Sequence, residues 1–516
     1  MPMVHRNLVK LYRKSSIISS KMLSSVTSSG SGVFGASSAT EDAILEAQKA
    51  ARETGPTTYN AGSREYVPLP ADLKLERVAV IHRHGDRAQI WRSLGPSNPE
   101  SDDVSTMWKS KLPKDDTLRR MACAFRSSLD VTLKIHEGEV DIDLSAYSRN
   151  EHLYSGEDSD AYPYAQLTEL GAQQLIRVGR LLRQRYGVDR GDGASSSCSI
   201  GRTGHSLIST RQDDGDVYLR STNMCRTLQS LRSLVVGLYD IPDPMNKQTE
   251  EDAVDAENGV LLQQNAPTVH TRPKSAETMF PQSTCYELAE RRSVVLTNQH
   301  FYEKFEDYGS IHERLRALLG LPSKDDKVSW LMLKEILSCY KVHAYPYPLS
   351  LTYDDEKIAT EVCGWMWGSL YGDEPLNRLA AGRFLRELIE DLTQAEKEDV
   401  KMLIYSGHDS SLVPILCALG IYDNQWPPYA SYLVLEVAKN LSTGKTFVRA
   451  LYNDEVRPLF SAHDFIPWEG ENSFLQCLEK IVITEETYRE ACAGPGDDSV
   501  GNQEKSEKQV PISNEA

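Results

Sequence analysis

Residues 77–87 read R-V-A-V-I-H-R-H-G-D-R, and this stretch narrows the folds open to the chain more than any other. Its apolar run, Val78 to Ile81, is too short for a helix and has no polar face. It therefore reads as a strand buried on both sides. The run breaks abruptly into charge. Open α/β sheets hold their ligands at the carboxyl ends of strands, so a polar burst at that point marks a candidate site. Gly85 lacks a Cβ, which lets the backbone approach a ligand closely. Arg83 and Arg87 carry permanent charge in planar forks that suit phosphate oxygens. His84, between them, can be a neutral nitrogen nucleophile near neutral pH.

Two further strands end the same way. Val217 to Leu219 stops at Arg220 and leads into a helix with Thr222 as a candidate cap and Leu228, Leu231, Leu234, Val235 and Leu238 inward. Met402 to Tyr405 breaks at Ser406, Gly407, His408 and Asp409, and a helix follows from Ser410 to Leu419. Strand followed by helix is the α/β pattern, and parallel strands bring such ends to one edge of a sheet. Together they offer the guanidiniums of Arg83, Arg87 and Arg220, the imidazoles of His84 and His408, and the Asp409 carboxylate. That is an inventory for phosphoryl transfer: donors around phosphate oxygens, a nucleophile, and an acid for the leaving group. Taken singly, Arg220 fits a salt-bridged strand end and Asp409 a helix N-cap. The string Ser461 to Asp464 repeats the S-x-H-D pattern, but no apolar strand leads into it and Pro467 opposes a helix after it. His463 and Asp464 are therefore set aside.

The rest of the chain frames this core. Residues 1–40 hold Arg6, Lys10, Arg13, Lys14 and Lys21, no Asp or Glu, many Ser and no apolar run longer than two. This is the composition of a transit peptide, so a mitochondrial (or plastid) destination is expected, the alternative being a basic tail on a cytoplasmic protein. Residues 41–65 read as a linker with a short polar helix, 66–284 and 393–492 as an α/β domain, 285–392 as an inserted helical cap, and 493–516 as a disordered tail. The expected fold is thus α/β, with a central, mainly parallel sheet flanked by helices. Gln166 to Tyr186 is the clearest helix, with Thr168 as its N-cap. Phe447 to Tyr452 reads as a late, possible edge strand. No run of 18 apolar residues exists, which gives no transmembrane helix. The net charge of −17 argues against nucleic acid as a partner and requires any phosphate site to concentrate Arg locally. Nine cysteines without a C-x-x-C pair support neither a disulfide framework nor a zinc site, and a reducing compartment is the simpler reading.

Beyond R-H-G-x-R at 83–87, the chain carries Gln166-Leu167-Thr168 to Gly171, Leu219-Arg220-Ser221-Thr222 with Arg226-Thr227-Leu228, Ser406-Gly407-His408-Asp409, and Trp426-Pro427-Pro428-Tyr429-Ala430-Ser431. In this combination and order it resembles the histidine acid phosphatases. The stretch Leu419 to Pro428 is most similar to their lysophosphatidic acid phosphatase type. The resemblance implies an α/β domain with a smaller helical domain over the site, no cofactor, and a small phosphorylated substrate, a lysophospholipid among the candidates. It implies His84 as the nucleophile forming a phosphohistidine, with Arg83, Arg87, Arg220 and His408 holding phosphate and Asp409 protonating the leaving alkoxide. Gln89 departs from the pattern, which has proline there.

Two other classes stay open. His82 and His84 could ligate zinc in a metal-dependent hydrolase, given further ligands. A non-catalytic phosphate- or lipid-binding module is the other, although binding alone needs neither a nucleophile nor an acid. Cys363 to Trp367 fits cap core or the wall of a lipid channel.

Overall fold

Strand β1, Leu73–Arg83, runs through the middle of the molecule and is longer than its apolar run. Its pleat divides two cores: Val78 and Val80 point into one, Ala79 and Ile81 into the other. Each Val or Ile so buried is worth about 1.5–3 kcal/mol, which fixes the register of the strand. The computed structural model describes residues 61–124, 162–187, 207–208, 215–242, 268–323, 327–461 and 463–493. The expected transit peptide, its following helix, most of the linker and the tail after residue 493 lie outside the described residues.

Strands β2 (Val217–Ser221), β3 (Val269–His270), β4 (Met402–Gly407), β5 (Tyr432–Asn440), β6 (Thr446–Tyr452), β7 (Glu455–Arg457) and β8 (Ile466–Pro467) complete one sheet. Its order is β3-β2-β4-β1-β5-β6-β7, with β8 also paired to β6. The fold is α/β as expected, but the pairing is mixed. β3, β2, β4 and β1 are mutually parallel, whereas β1–β5, β5–β6, β6–β7 and β6–β8 are antiparallel. β6 is not an edge, since β5 covers one side and β7 and β8 the other.

Helices α1 (Glu169–Tyr186) and α2 (Cys225–Tyr239) cover one face of the sheet. Thr168 caps α1, its Oγ1 accepting from Gly171 N at 3.1 Å. The two helices meet with their backbones nearly in contact: a Cβ on Gly179 would lie 1.9 Å from Leu234 O, and one on Gly237 1.9 Å from Ile176 O. Thr222 is not the cap of α2. That helix starts at Cys225 after Met224, and Thr222 is drawn into the site instead.

Helices α3 (Trp330–Val342) and α4 (Tyr353–Tyr371) share a third core with Trp108, Tyr164, Trp426 and Tyr429. Cys363 is buried there, Trp367 packs edge-on against Trp426 at 4.7 Å between centroids, and Trp365 meets Phe301 at 4.8 Å. These residues act as packing. Helix α5 (Glu374–Glu398) was expected to lie mostly in the cap, but its Ala381, Phe384, Leu385, Leu388 and Leu392 pack on the second face of the sheet beside Leu403 and Leu435. Helix α6 (Asp409–Ala418) joins it there. The helices of 285–392 therefore do not share one core.

Cys285 and Cys492 form a disulfide, which corrects the expectation of unpaired thiols. The partners are 207 residues apart, so no local spacing could reveal them. Among the described residues no helix is long and apolar enough to cross a membrane.

Candidate active site

Register brings three strand ends together. In the parallel pairing, β1 reaches Arg83 opposite Gly407 of β4, and β2 reaches Ser221 opposite Ser406. The chain then turns into the site from each strand. His84 is buried, and its backbone is pinned on both sides: His84 N donates to Gly407 O at 2.9 Å, and Ala430 N donates to His84 O at 3.1 Å. A Cβ on Gly85 would lie 2.3 Å from Gly171 O, so this turn can press against the start of α1 only as glycine. Asp86 secures the same contact, accepting from Thr168 Oγ1 and lying against His343 Nε2, both at 2.6 Å.

His84 Nδ1 lies 2.8 Å from Gly85 O. A carbonyl can only accept, so Nδ1 carries the proton and Nε2 keeps its lone pair. Burial, followed by the charges of Arg226, Arg83, Arg87 and His408, holds the imidazole well below its ordinary pKa. It is therefore a neutral imidazole with Nε2 free of its proton.

His408 has the opposite tautomer. Arg226 Nη2 donates to its Nδ1 at 3.4 Å, so its Nε2–H points to Thr222 Oγ1 at 2.9 Å. Thr222 passes the bond to Thr227 Oγ1 at 2.9 Å, and Thr227 donates to backbone carbonyls. The two imidazoles meet edge-on, 5.6 Å between centroids.

The cations differ in how far they are already engaged. Arg83 donates to Pro427 O at 2.6 Å, reaches Asp409 Oδ2 at 2.8 Å, and lies 4.2 Å over the Tyr429 ring. Arg87 is paired with Glu335 of α3. Arg226 has no carboxylate in ion-pair distance among the described residues, and its enclosed Nε has no acceptor. Burial, with Arg87 and Arg83 opposing it, pushes Arg226 down to about 10. Three guanidiniums beside two imidazoles concentrate positive charge in a way that suits an anion.

Arg220 is not part of this cluster. In the strand it shares a face with Tyr218 and is directed to the second core, where it pairs with Glu277 at 2.9 Å and with Glu387, and donates to Thr278 Oγ1 at 2.9 Å. It borders a separate cavity of about 420 Å³ with Arg272 and His270. The cluster holds Arg226 instead, on the first turn of α2 next to Thr227 and Leu228. Sequence reasoning noted Arg226 only within the resemblance; its position opposite His408 at the start of a helix was the available signal.

Asp409 accepts from Ser410 N at 2.9 Å and ion-pairs with Arg83. Burial raises its pKa, but Arg83, Lys334, His408 and Arg87 together bring it down to about 2. The cap of α6 is His408, not Asp409. His463 and Asp464 lie exposed at the surface. Gln89 is buried and donates to Trp91 O at 2.8 Å, which holds the loop where a proline was expected.

His82 does not join His84 in a metal centre. Its Nδ1 lies against Arg83 O at 3.1 Å, its Nε2 is enclosed without a partner, and among the described residues no three His, Cys, Asp or Glu side chains converge on one point. The zinc reading lacks its donor set there.

Residues 74–453 match the profile of the histidine phosphatase superfamily (branch 2). Counting factor 60 of Dictyostelium discoideum is 25% identical over 82% of this chain and 89% of its own length. Lysophosphatidic acid phosphatase type 6 of Mus musculus is 26% identical over 82% of this chain and 88% of its own. Prostatic acid phosphatase of Homo sapiens is 27% identical over 57% of this chain and 70% of its own.

Proposed function

The chain belongs to the histidine phosphatase superfamily (branch 2), and from that premise we propose that it hydrolyses phosphate monoesters through a phosphohistidine on His84. The observation that carries this reading is the unpaired Arg226 beside a neutral His84 whose Nε2 lone pair is free. Arg83, Arg87, Arg226 and His408 surround the phosphate oxygens. The Nε2 lone pair attacks phosphorus as the ester P–O bond breaks, and the departing oxygen takes the Asp409 proton. In the second half, water attacks phosphorus, its proton goes to the Asp409 carboxylate, and the P–N bond breaks to release phosphate and neutral His84. Before the first step Asp409 must be protonated, although Arg83 holds it ionised in the free site. A phosphate dianion arriving between the arginines neutralises the field that keeps Asp409 ionised and raises its pKa.

The test is a turnover assay on an aryl phosphate with an alkaline quench, which preserves P–N bonds. A phosphoryl group on the peptide containing His84, absent from His84→Ala, is expected. Turnover without it, or full activity in His84→Ala, sinks the mechanism.

For the natural substrate the first candidate is lysophosphatidic acid, which the name of the mouse relative suggests. Rates on lysophosphatidic acid, phosphotyrosine and phytate decide it, and a kcat/KM highest on phytate or phosphotyrosine removes the lipid.

A further inference from the structure

Tyr429 brings a neutral ring in among the charges of the cluster. It is 1% exposed, and its ring centroid lies 4.2 Å from Arg83 Cζ, 5.9 Å from Arg87 Cζ and 5.8 Å from the centroid of His84. Both guanidiniums are thus within the reach of a cation–π contact. The segment that carries the ring is laced to the end of β1. Arg83 N donates to Ser431 O at 2.8 Å, Ala430 N to His84 O at 3.1 Å, and Arg83 Nη1 to Pro427 O at 2.6 Å. Ala430, between Tyr429 and Ser431, has φ 60°, a left-handed conformation uncommon in a residue with a Cβ. Such a conformation persists only where its surroundings over-determine it. At the other end of the side chain the hydroxyl lies 3.3 Å from Cys339 Sγ of α3.

The arginines are gripped at one end and open at the other. Arg87 is held through Nη1, by Glu335 and by Ala88 O at 3.0 Å, which leaves its plane free to tilt about that nitrogen. Arg83 Nε and Arg87 Nε are enclosed without an acceptor among the described residues, so each guanidinium keeps a donor unspent. A further carboxylate would fix the planes by occupying those donors. A ring face attracts the cation through its quadrupole and occupies none of them. Resting on the phosphatase reading for the identity of the anion, we infer that Tyr429 is a positioning residue: its ring face sets the planes of the Arg83 and Arg87 guanidiniums before substrate arrives, and leaves their N–H edges to the phosphate oxygens. It acts through the two arginines and not on the substrate.

The test separates the charge distribution of the ring from its shape. Phenylalanine at 429, and then phenylalanine with one, two and three ring fluorines introduced by nonsense suppression, keeps the shape while the face loses its negative potential. Calorimetry with inorganic phosphate reads the affinity, and melting without phosphate reads the fold. Tyr429→Phe should bind within about threefold of the wild type, since the hydroxyl is not the group that meets the arginines. Across the fluorinated series the dissociation constant should rise stepwise, by about 5- to 100-fold in all, because binding must then order two long side chains that the ring no longer holds. A falling melting temperature with level phosphate affinity would make Tyr429 packing alone and overturn the inference, as would affinity that tightens along the series. Stepwise loss of affinity in a protein that hydrolyses no aryl phosphate would sink the phosphatase reading and keep this one. Level affinity in an active enzyme would sink this one alone. A wild-type protein that binds no phosphate overturns the inference whatever its turnover.

Discussion

Asp409 Oδ2 sits 2.8 Å from Arg83 Nη2, so the carboxyl proposed to protonate the leaving group is tied to a guanidinium proposed to hold phosphate. Charge on the substrate and protonation of the acid are thereby coupled through one residue.

Leaving-group chemistry exposes that role. General acid help is typically worth about 10²–10⁴ in rate, and a leaving group that is a stable anion needs little of it. Asp409→Asn should slow an alkyl phosphate by that factor and nitrophenyl phosphate far less, in single-turnover kinetics. Asp464→Asn, at the surface, should change neither. An equal small loss on both substrates in Asp409→Asn would reduce Asp409 to a support for the start of α6.

Arg226 and Arg220 should separate cleanly. Arg226→Ala removes an unpaired cation, so kcat/KM should drop by about 10²-fold or more, in the range seen when one preorganised donor is lost from a site. Its melting temperature should hold or rise. Arg220→Ala leaves Glu277 without its cation and Glu387 with Arg272 alone, and breaking such a buried network costs about 3–5 kcal/mol. Calorimetric melting with phosphatase assays distinguishes them; a stable, inactive Arg220→Ala would reverse the assignment.

Activity on alkyl phosphates should climb as pH falls from neutral. His84, held well below its ordinary pKa by burial and by Arg226, loses its lone pair only when pH drops beneath that lowered value. Asp409, at about 2 in the free site, gains its proton in the same direction. Both conditions place the working range on the acid side. Lys334→Met removes one of the cations that depress Asp409, so the limb governed by this acid should move to higher pH. A pH–kcat profile rising toward alkali would contradict the assignment.

Reduction should weaken the fold. The Cys285–Cys492 bond closes a long loop, and losing such a bond typically costs about 2–5 kcal/mol. A lower melting temperature with reductant, reproduced by Cys492→Ser without it, is expected. Equal melting in both conditions, with Cys285 and Cys492 both alkylatable in the unreduced protein, would show the bond is not made.

What could be read from the chain alone follows from locality. Val78 to Ile81 breaking into H-R-H-G-D-R announced a strand end, because burial on both faces and charge cannot share a residue run. Met402 to Asp409 repeated the pattern, and the capped periodicity after Thr168 announced α1. Arg220 misled because proximity to a strand end does not say which face a side chain takes. The alternation that places Leu219 in the first core sends Arg220 to the second. Glu335 carries no mark of its place beside Arg87, since α3 reaches the site only through tertiary packing some 250 residues from β1. The antiparallel direction of β5 depends on how the chain returns, which no local run of residues carries.

β1 and β2 do not touch; β4 lies between them and supplies each with its partner. The proposed nucleophile at 84 and the proposed acid at 409 are thus separated in time as well as in sequence. At about 5–20 residues per second, a ribosome needs on the order of tens of seconds after finishing His84 before the strand that carries His408 and Asp409 emerges. Until then His84 lacks the Gly407 carbonyl that fixes its backbone. A chain cut short before β4 therefore holds the guanidiniums of Arg83, Arg87 and Arg226 without the imidazole and carboxylate that face them: the last strand of the parallel set assembles the cluster.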